Sequence, residues 1–286
     1  MSGLSQGEIH SHWDDFAAAA RDLLASPHHI SDWNRSTYAN ALGASGYPEV
    51  LTLDPRVRRY WMEGYLGRMV TRDLPEISSS LAANRLSEVL RLVAAAHGSE
   101  TVPTRMANDL GMPASSIGAY LTALRTLHLI DDLPPWTPNL TTREIGRHKL
   151  SVSDSALAMH LGRVNVAALE TPETSTHLGG LLEMFVVSEL MKQKTWSSED
   201  LNLYHYRNRG GVEVDLVIEY ADGRVFLIEV KASQTYQSSQ AKSIRTLAEK
   251  LGDRFLGGAV LTLAHDTVTM GDKIWGMPVS ALWEMG

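Results

Sequence analysis

Asp215, Glu229 and Lys231 are the residues of this chain whose types and spacing could do chemistry. They lie in VEVDLVIEYADGRVFLIEVK, residues 212–231, which reads as two short apolar strands joined by a tight turn. Side chains alternate along a strand, so Glu229 and Lys231 share one face, while Val230 points to the other with Phe226 and Ile228. Pairing the two strands brings Asp215 beside Glu229. Two adjacent carboxylates resist joint ionisation unless a cation neutralises them. Mg²⁺, with Mn²⁺ as a substitute, suits such oxygen ligands, and a neighbouring lysine would stabilise charge around an attacking water. The plain alternative is an acidic, half-buried hairpin whose charges face water.

A fourth residue comes from the helix expected over residues 178–194, LGGLLEMFVVSELMKQK. Leu178, Leu181, Leu182, Phe185, Val186 and Leu190 form its apolar stripe. Glu183 sits inside that stretch, where an ionised carboxylate is costly unless paired or metal-bound; otherwise it is a boundary residue reaching water. Glu189 is a further acid on the same helix. A strand over 203–206 and a basic turn, Arg207-Asn208-Arg209-Gly210-Gly211, lead into the hairpin. A helix over 236–250, a buried strand over 257–263 and a closing segment from Ile274 follow. Helix, strand, strand, strand, helix, strand is an α/β unit around a mixed sheet.

In this order, Glu183, Asp215, Glu229 and Lys231 resemble the PD-(D/E)XK nuclease superfamily, with Val214 standing where that pattern has proline. The resemblance implies a restriction-endonuclease-like fold in which Glu183, Asp215 and Glu229 bind one or two Mg²⁺ ions. It also implies a catalytic set of those three with Lys231, which positions the water.

Composition bounds what else the chain can be. Its 286 residues are 44% hydrophobic and 21% charged, as in ordinary globular proteins. There is no cysteine, which excludes disulfides, thiolate metal sites and a cysteine nucleophile. No apolar run approaches a membrane span, and the N-terminus lacks a signal-peptide pattern, so a cytoplasmic protein without membrane attachment is expected. A net charge of −7 argues against indiscriminate nucleic-acid binding but not against a local basic patch. No GxxxxGK[ST] sequence occurs, so no ATPase activity is expected from this chain alone.

The middle segment has the order of a winged helix. Helices are expected over 84–97 and 102–110, then from Ala114 with Ile117, Tyr120, Leu121, Leu124 and Leu127 inward. That last helix is sparse in base-reading side chains, so it serves equally well as a protein-docking element. Arg143, Arg147 and Lys149 in the following wing, with Arg207 and Arg209 in the later basic turn, are the candidate phosphate contacts. His128 and His148 read as solvated or capping residues. Upstream, helices are expected over 11–25, 35–45 and 54–73. The adjacent pair His28-His29 reads as an exposed loop. Arg56, Arg58, Arg59, Arg68 and Arg72 form either a solvated face with acidic partners or a surface for a phosphate-bearing partner.

A wider resemblance covers nearly the whole chain. Leu4-Ser5-Gln6-Gly7-Glu8-Ile9, Gly46-Tyr47-Pro48-Glu49, Tyr65, Arg72-Asp73-Leu74, Tyr120-Leu121 and residues 131–135 match a family of bacterial and archaeal AAA-type ATP-binding proteins. So do Gly180-Leu181-Leu182-Glu183, Glu213-Val214-Asp215 and Ile228-Glu229-Val230-Lys231. The resemblance is to that family's C-terminal portion. It implies a helical remnant of the AAA module at 1–80 without Walker A or B, a winged helix at 81–152 and a nuclease-like domain of unknown function at 153–286. The expected function is DNA-associated, with Mg²⁺-dependent phosphodiester hydrolysis. The alternatives are a non-catalytic nucleic-acid or protein-binding regulatory module, or a fragment that partners an AAA-type ATPase subunit or itself.

Overall fold

The structure is a computed structural model that describes residues 3–22, 27–96, 99–138, 146–171 and 176–285. The architecture is α+β: a helical N-terminal region leads to a C-terminal six-stranded mixed sheet flanked by helices.

The chain begins with α1 (Gln6–His10), which has no counterpart in the sequence reading, and α2 (Phe16–Asp22), which lies within the helix expected over 11–25. Ser5 and Glu8 form a reciprocal capping box that starts α1, and Ser11 in the left-handed conformation ends it after five residues. The Asp15 carboxylate then accepts from the Ala18 N–H and starts α2. Trp13, expected on a core stripe, lies in the break and is 73% exposed. Next come α3 (Arg35–Ala44) and α4 (Pro55–Arg68), the latter capped by Asp54 with Pro55 in its first turn. A π-helical turn (Met69–Asp73) separates α4 from the short α5 (Leu74–Ile77). Pro75 explains the widening, since it lacks a donor and crowds the carbonyl four residues back.

Helices α6 (Ala83–Ala95), α7 (Pro103–Asp109) and α8 (Ala114–Thr126) are followed by the antiparallel pair β1 (Ile130–Leu133) and β2 (Lys149–Val152). Leu86, Val89, Leu90 and Val93 are buried on α6, as their spacing predicts. Two further helices, α9 (Ser155–Gly162) and α10 (Val166–Glu170), lead to the long α11 (Thr176–Gln193). Asp154 caps α9 and also accepts from Ser45 Oγ and the Gly46 N–H, which pins the turn before Pro48.

The sheet comprises β3 (Leu201–Arg207), β4 (Glu213–Tyr220), β5 (Val225–Val230), β6 (Phe255–Thr262), β7 (Val268–Gly271) and β8 (Ile274–Pro278), in the order β3-β4-β5-β6-β8-β7. β5, β6 and β8 are parallel, and the other pairs are antiparallel. Helix α12 (Lys242–Leu251) makes the crossover from β5 to β6, and α13 (Ala281–Glu284) closes the chain. β7, a short edge strand, has no counterpart in the sequence reading.

Both faces of the sheet are covered. Leu216, Ile218, Phe226 and Ile228 join a cluster with α11 and the N-terminal helices that runs from Phe16 to Trp283. Val217, Val225 and Leu227 pack with Ile244 and Leu247 of α12 and with Trp136. Burial on α11 is wider than the predicted stripe, because Met184, Val187 and Glu189 are buried as well. Glu189 is fully buried, where it pairs with Lys192 at 2.7 Å and accepts from the Gln6 N–H at 2.7 Å.

Candidate carboxylate–lysine site

The β4–β5 hairpin turns tightly at 220–224, with the Gly223 N–H bonded to the Tyr220 carbonyl and Gly223 at φ +80°. That left-handed conformation suits glycine. The turn sets the register Leu216↔Ile228, whose continuation faces Asp215 with Glu229. The expected juxtaposition is therefore present. Asp215 Oδ2 accepts from the Val230 N–H at 2.8 Å and from Lys231 Nζ at 3.4 Å. Lys231 also donates to Glu229 Oε2 at 2.6 Å, while Glu229 Oε1 is buried with no hydrogen-bond partner.

Glu183 stands close enough for the Asp215 charge to act on it, but its direct partner is one the sequence did not indicate. Lys149 Nζ lies 2.7 Å from Glu183 Oε1 and 3.0 Å from Glu213 Oε1. Lys149 was expected on the wing as a phosphate contact, but only 5% of its surface is exposed. The geometry of β2 explains the difference. Lys149 opens that strand opposite Leu133 and turns inward to the sheet domain, whereas its neighbour Arg147 faces solvent. His205 on β3 reinforces this junction by donating from Nε2 to the Arg147 carbonyl at 2.9 Å.

Four carboxylates (Glu183, Glu213, Asp215 and Glu229) thus face two ammonium groups (Lys149 and Lys231) in a largely buried cluster. Burial, reinforced by Asp215 and opposed by Lys149, raises the Glu183 carboxyl to about 7. Burial and Asp215, opposed by Lys231, raise Glu229 to about 8. Burial alone would lower both ammonium groups. Glu183 and Asp215 around Lys149, and Asp215 and Glu229 around Lys231, reverse that and hold both above the ordinary lysine value. Burial also pulls the His205 imidazole down to about 4, so it is neutral, and its Nδ1 has no partner.

The all-oxygen donor set, the unpartnered Glu229 Oε1 and the two-charge excess of carboxylates fit a hard divalent cation. Among the described residues no three acidic or histidine side chains gather tightly enough to hold one as placed. Each lysine instead stands between two of the carboxylates.

The other candidate contacts divide. Arg143 lies outside the described residues. Arg147 and Arg207 are exposed, 4.0 Å from Glu100 and 3.9 Å from Glu213 respectively, and Arg209 is exposed on the turn after β3. Arg125 on α8 is bound to Asp132, 2.6 Å away, and His148 faces the same carboxylate. His28 is exposed as expected, whereas His29 pairs with Glu284 at 2.8 Å.

Two domains of unknown function match the chain. Residues 35–169 match DUF8612 and residues 178–282 match DUF4143. The DUF4143 match contains Glu183, Asp215, Glu229 and Lys231, and the DUF8612 match contains Lys149, so the buried ion pair joins the two matched regions. An uncharacterized protein of Mycobacterium bovis and one of Mycobacterium tuberculosis are each 26% identical to the chain over 182 residues. The match takes in 63% of this chain and 40% of each relative's length. No solved structure matches. No helix among the described residues is long and apolar enough to cross a membrane.

Proposed function

We propose that the chain is a nucleic-acid-associated protein whose DUF4143-matching region carries a Mg²⁺-dependent phosphodiester-hydrolysing site, held closed by Lys149. The observation that carries this reading is the charge balance of the buried cluster. Burial and the Asp215 charge together raise the Glu183 and Glu229 carboxyls above the ordinary range, and a divalent ion among the four carboxylates would favour their ionised forms. Asp215 and Glu229 would hold the ion, joined by Glu183 once it leaves Lys149. Such an ion would supply Lewis acidity toward a phosphate oxygen and the attacking water. Lys231, beside both strand carboxylates, would stabilise negative charge developing on the phosphate. Arg147 and Arg207 border the cluster through the His205 junction and Glu213, where they would guide a phosphate backbone. The resemblance to the C-terminal portion of AAA-type ATP-binding proteins supports an AAA-type ATPase subunit, or a second copy of this chain, as partner.

A second reading is favoured by Lys149 itself. A buried ammonium pairing Glu183 and Glu213 already supplies part of the charge an ion would bring, as in a binding or regulatory module that keeps the nuclease arrangement without cutting.

Calorimetric titration with Mg²⁺ and Mn²⁺, run beside cleavage assays on plasmid and linear DNA, separates the two. The first reading expects ion binding and cleavage, both lost in Asp215→Ala and Glu229→Gln, and tighter ion binding in Lys149→Met. Ion binding without cleavage leaves the second reading. Absence of carboxylate-dependent ion binding, even in Lys149→Met, ends the first.

A further inference from the structure

A cleft of about 1170 Å³ lies between α3, α4 and α9, and none of its lining residues belongs to the carboxylate–lysine cluster. Arg56, Arg58, Arg59, Arg91 and Arg163 converge on it from α4, α6 and the end of α9, against Glu63 as the one lining acid among the described residues. In a chain of net charge −7, this is a local reversal of sign. Several arginines elsewhere are held by carboxylates, as Arg21 by Glu199, Arg125 by Asp132 and Arg254 by Glu219, while Arg35 and Arg245 donate to backbone carbonyls. Among the described residues, Arg56, Arg59, Arg91 and Arg163 have no ion-pair partner.

One detail distinguishes the cleft from a solvated helix face. Arg58 is braced by donating to the Gly43 and Leu53 carbonyls, and its Nε is buried without a hydrogen-bond partner among the described residues. Arg163, the left-handed cap that ends α9, lines the same cleft.

Guanidinium forks that lack carboxylates match phosphate oxygens, which they bind through paired hydrogen bonds. The floor of the cleft is apolar, with Met62, Leu66 and Met159. Among the described residues no phenylalanine, tyrosine or tryptophan lines it, whereas a single strand of nucleic acid needs such platforms for base stacking. A bounded cleft with an apolar floor and charged groups on its rim has the anatomy of a small-molecule site. We propose that this cleft binds a small molecule carrying a diphosphate or triphosphate ester on an apolar or aromatic body. The arginines hold the phosphates, and the methionine–leucine floor receives the body. The proposal is independent of the carboxylate–lysine site.

Calorimetric titration of the whole chain in EDTA, which silences the carboxylate cluster, tests it with a nucleoside triphosphate, a prenyl diphosphate, poly-glutamate and a duplex oligonucleotide. Saturable binding of one of the two esters is expected. Arg59→Ala combined with Arg163→Ala should weaken it by about tenfold or more, as loss of charge-assisted hydrogen bonds requires. Arg105→Ala, on the exposed face of α7, should not. The comparison between the two esters identifies the body. Both arginines are exposed, so the thermal midpoint should be retained, and Arg91→Glu provides a second variant if it is not. The proposal is overturned if neither ester saturates, if the arginine variants bind the esters like the parent, or if those variants weaken poly-glutamate or duplex binding more than ester binding.

Discussion

Glu229 is held by two opposing influences. Lys231 satisfies one of its oxygens, while the other is buried without a partner, and its carboxyl is raised to about 8. A carboxyl whose folded pKa exceeds its unfolded value of 4.5 binds its proton more tightly in the native state. Its contribution to stability is therefore complete below that value and lost as pH rises through about 8. Glu229→Gln lacks this titration. Denaturant midpoints in EDTA should show the parent losing stability relative to the variant as pH rises from 5 to 8.5, by up to about 1.4 kcal/mol per pH unit. His205, lowered to about 4, contributes the opposite slope below neutrality in both proteins, so it cancels from the comparison. A parent–variant difference that does not change with pH would remove the basis for the charge argument. At this scale the structure brings Asp215, Glu229 and Lys231 into contact, as the strand pairing predicts, and places Glu183 within reach of the Asp215 charge but paired with Lys149. The sequence reading missed Glu213 and His205, and it sent Lys149 to the wrong surface.

Among the elements, α11 does more than carry Glu183. Its buried Glu189 receives the Gln6 N–H, and Gln193 reaches the Phe16 N–H, Asp14 and the Leu282 carbonyl. The LSQGEI segment is thereby fastened to the helix that crosses the sheet. Gly7 belongs to the same contact, because a Cβ there would lie 2.3 Å from the Asp14 carboxyl carbon. Glu189→Ala should cost roughly 3–5 kcal/mol, since it leaves the nearly buried Lys192 ammonium with only the Leu4 carbonyl and leaves the Gln6 N–H without its acceptor. It should also speed hydrogen exchange at the Gln6 amide. A loss below about 1 kcal/mol, the scale of an exposed ion pair, would mean that the clamp is not structural. The periodicity of residues 178–194 predicted the helix, but an acid among apolar residues gives no local sign of whether it will be solvated, paired or bonded to backbone.

For the whole molecule, the continuous cluster from Phe16 to Trp283 argues for one cooperative unit. Trp283 is buried against Trp33 and Tyr38 from the N-terminal region and Phe185 from α11. Trp283→Ala should lower stability by about 3–5 kcal/mol. Calorimetry should show a single transition that moves as a whole in the variant; two transitions, only one of them displaced, would contradict this. What the sequence determined by itself was local. The alternation of 212–231 and the tight turn at Gly223 set which hairpin residues meet, and helical spacing set which faces of α6, α8 and α11 are buried. Such contacts join residues close in sequence, through periods of two and of three to four. Only the tertiary structure decided that Lys149 enters the carboxylate cluster, that Gln6 docks on Glu189, and that arginines from three helices share one cleft. Those pairings span from tens to nearly two hundred residues. They depend on how finished elements pack and which charges are buried together, and no local pattern records that.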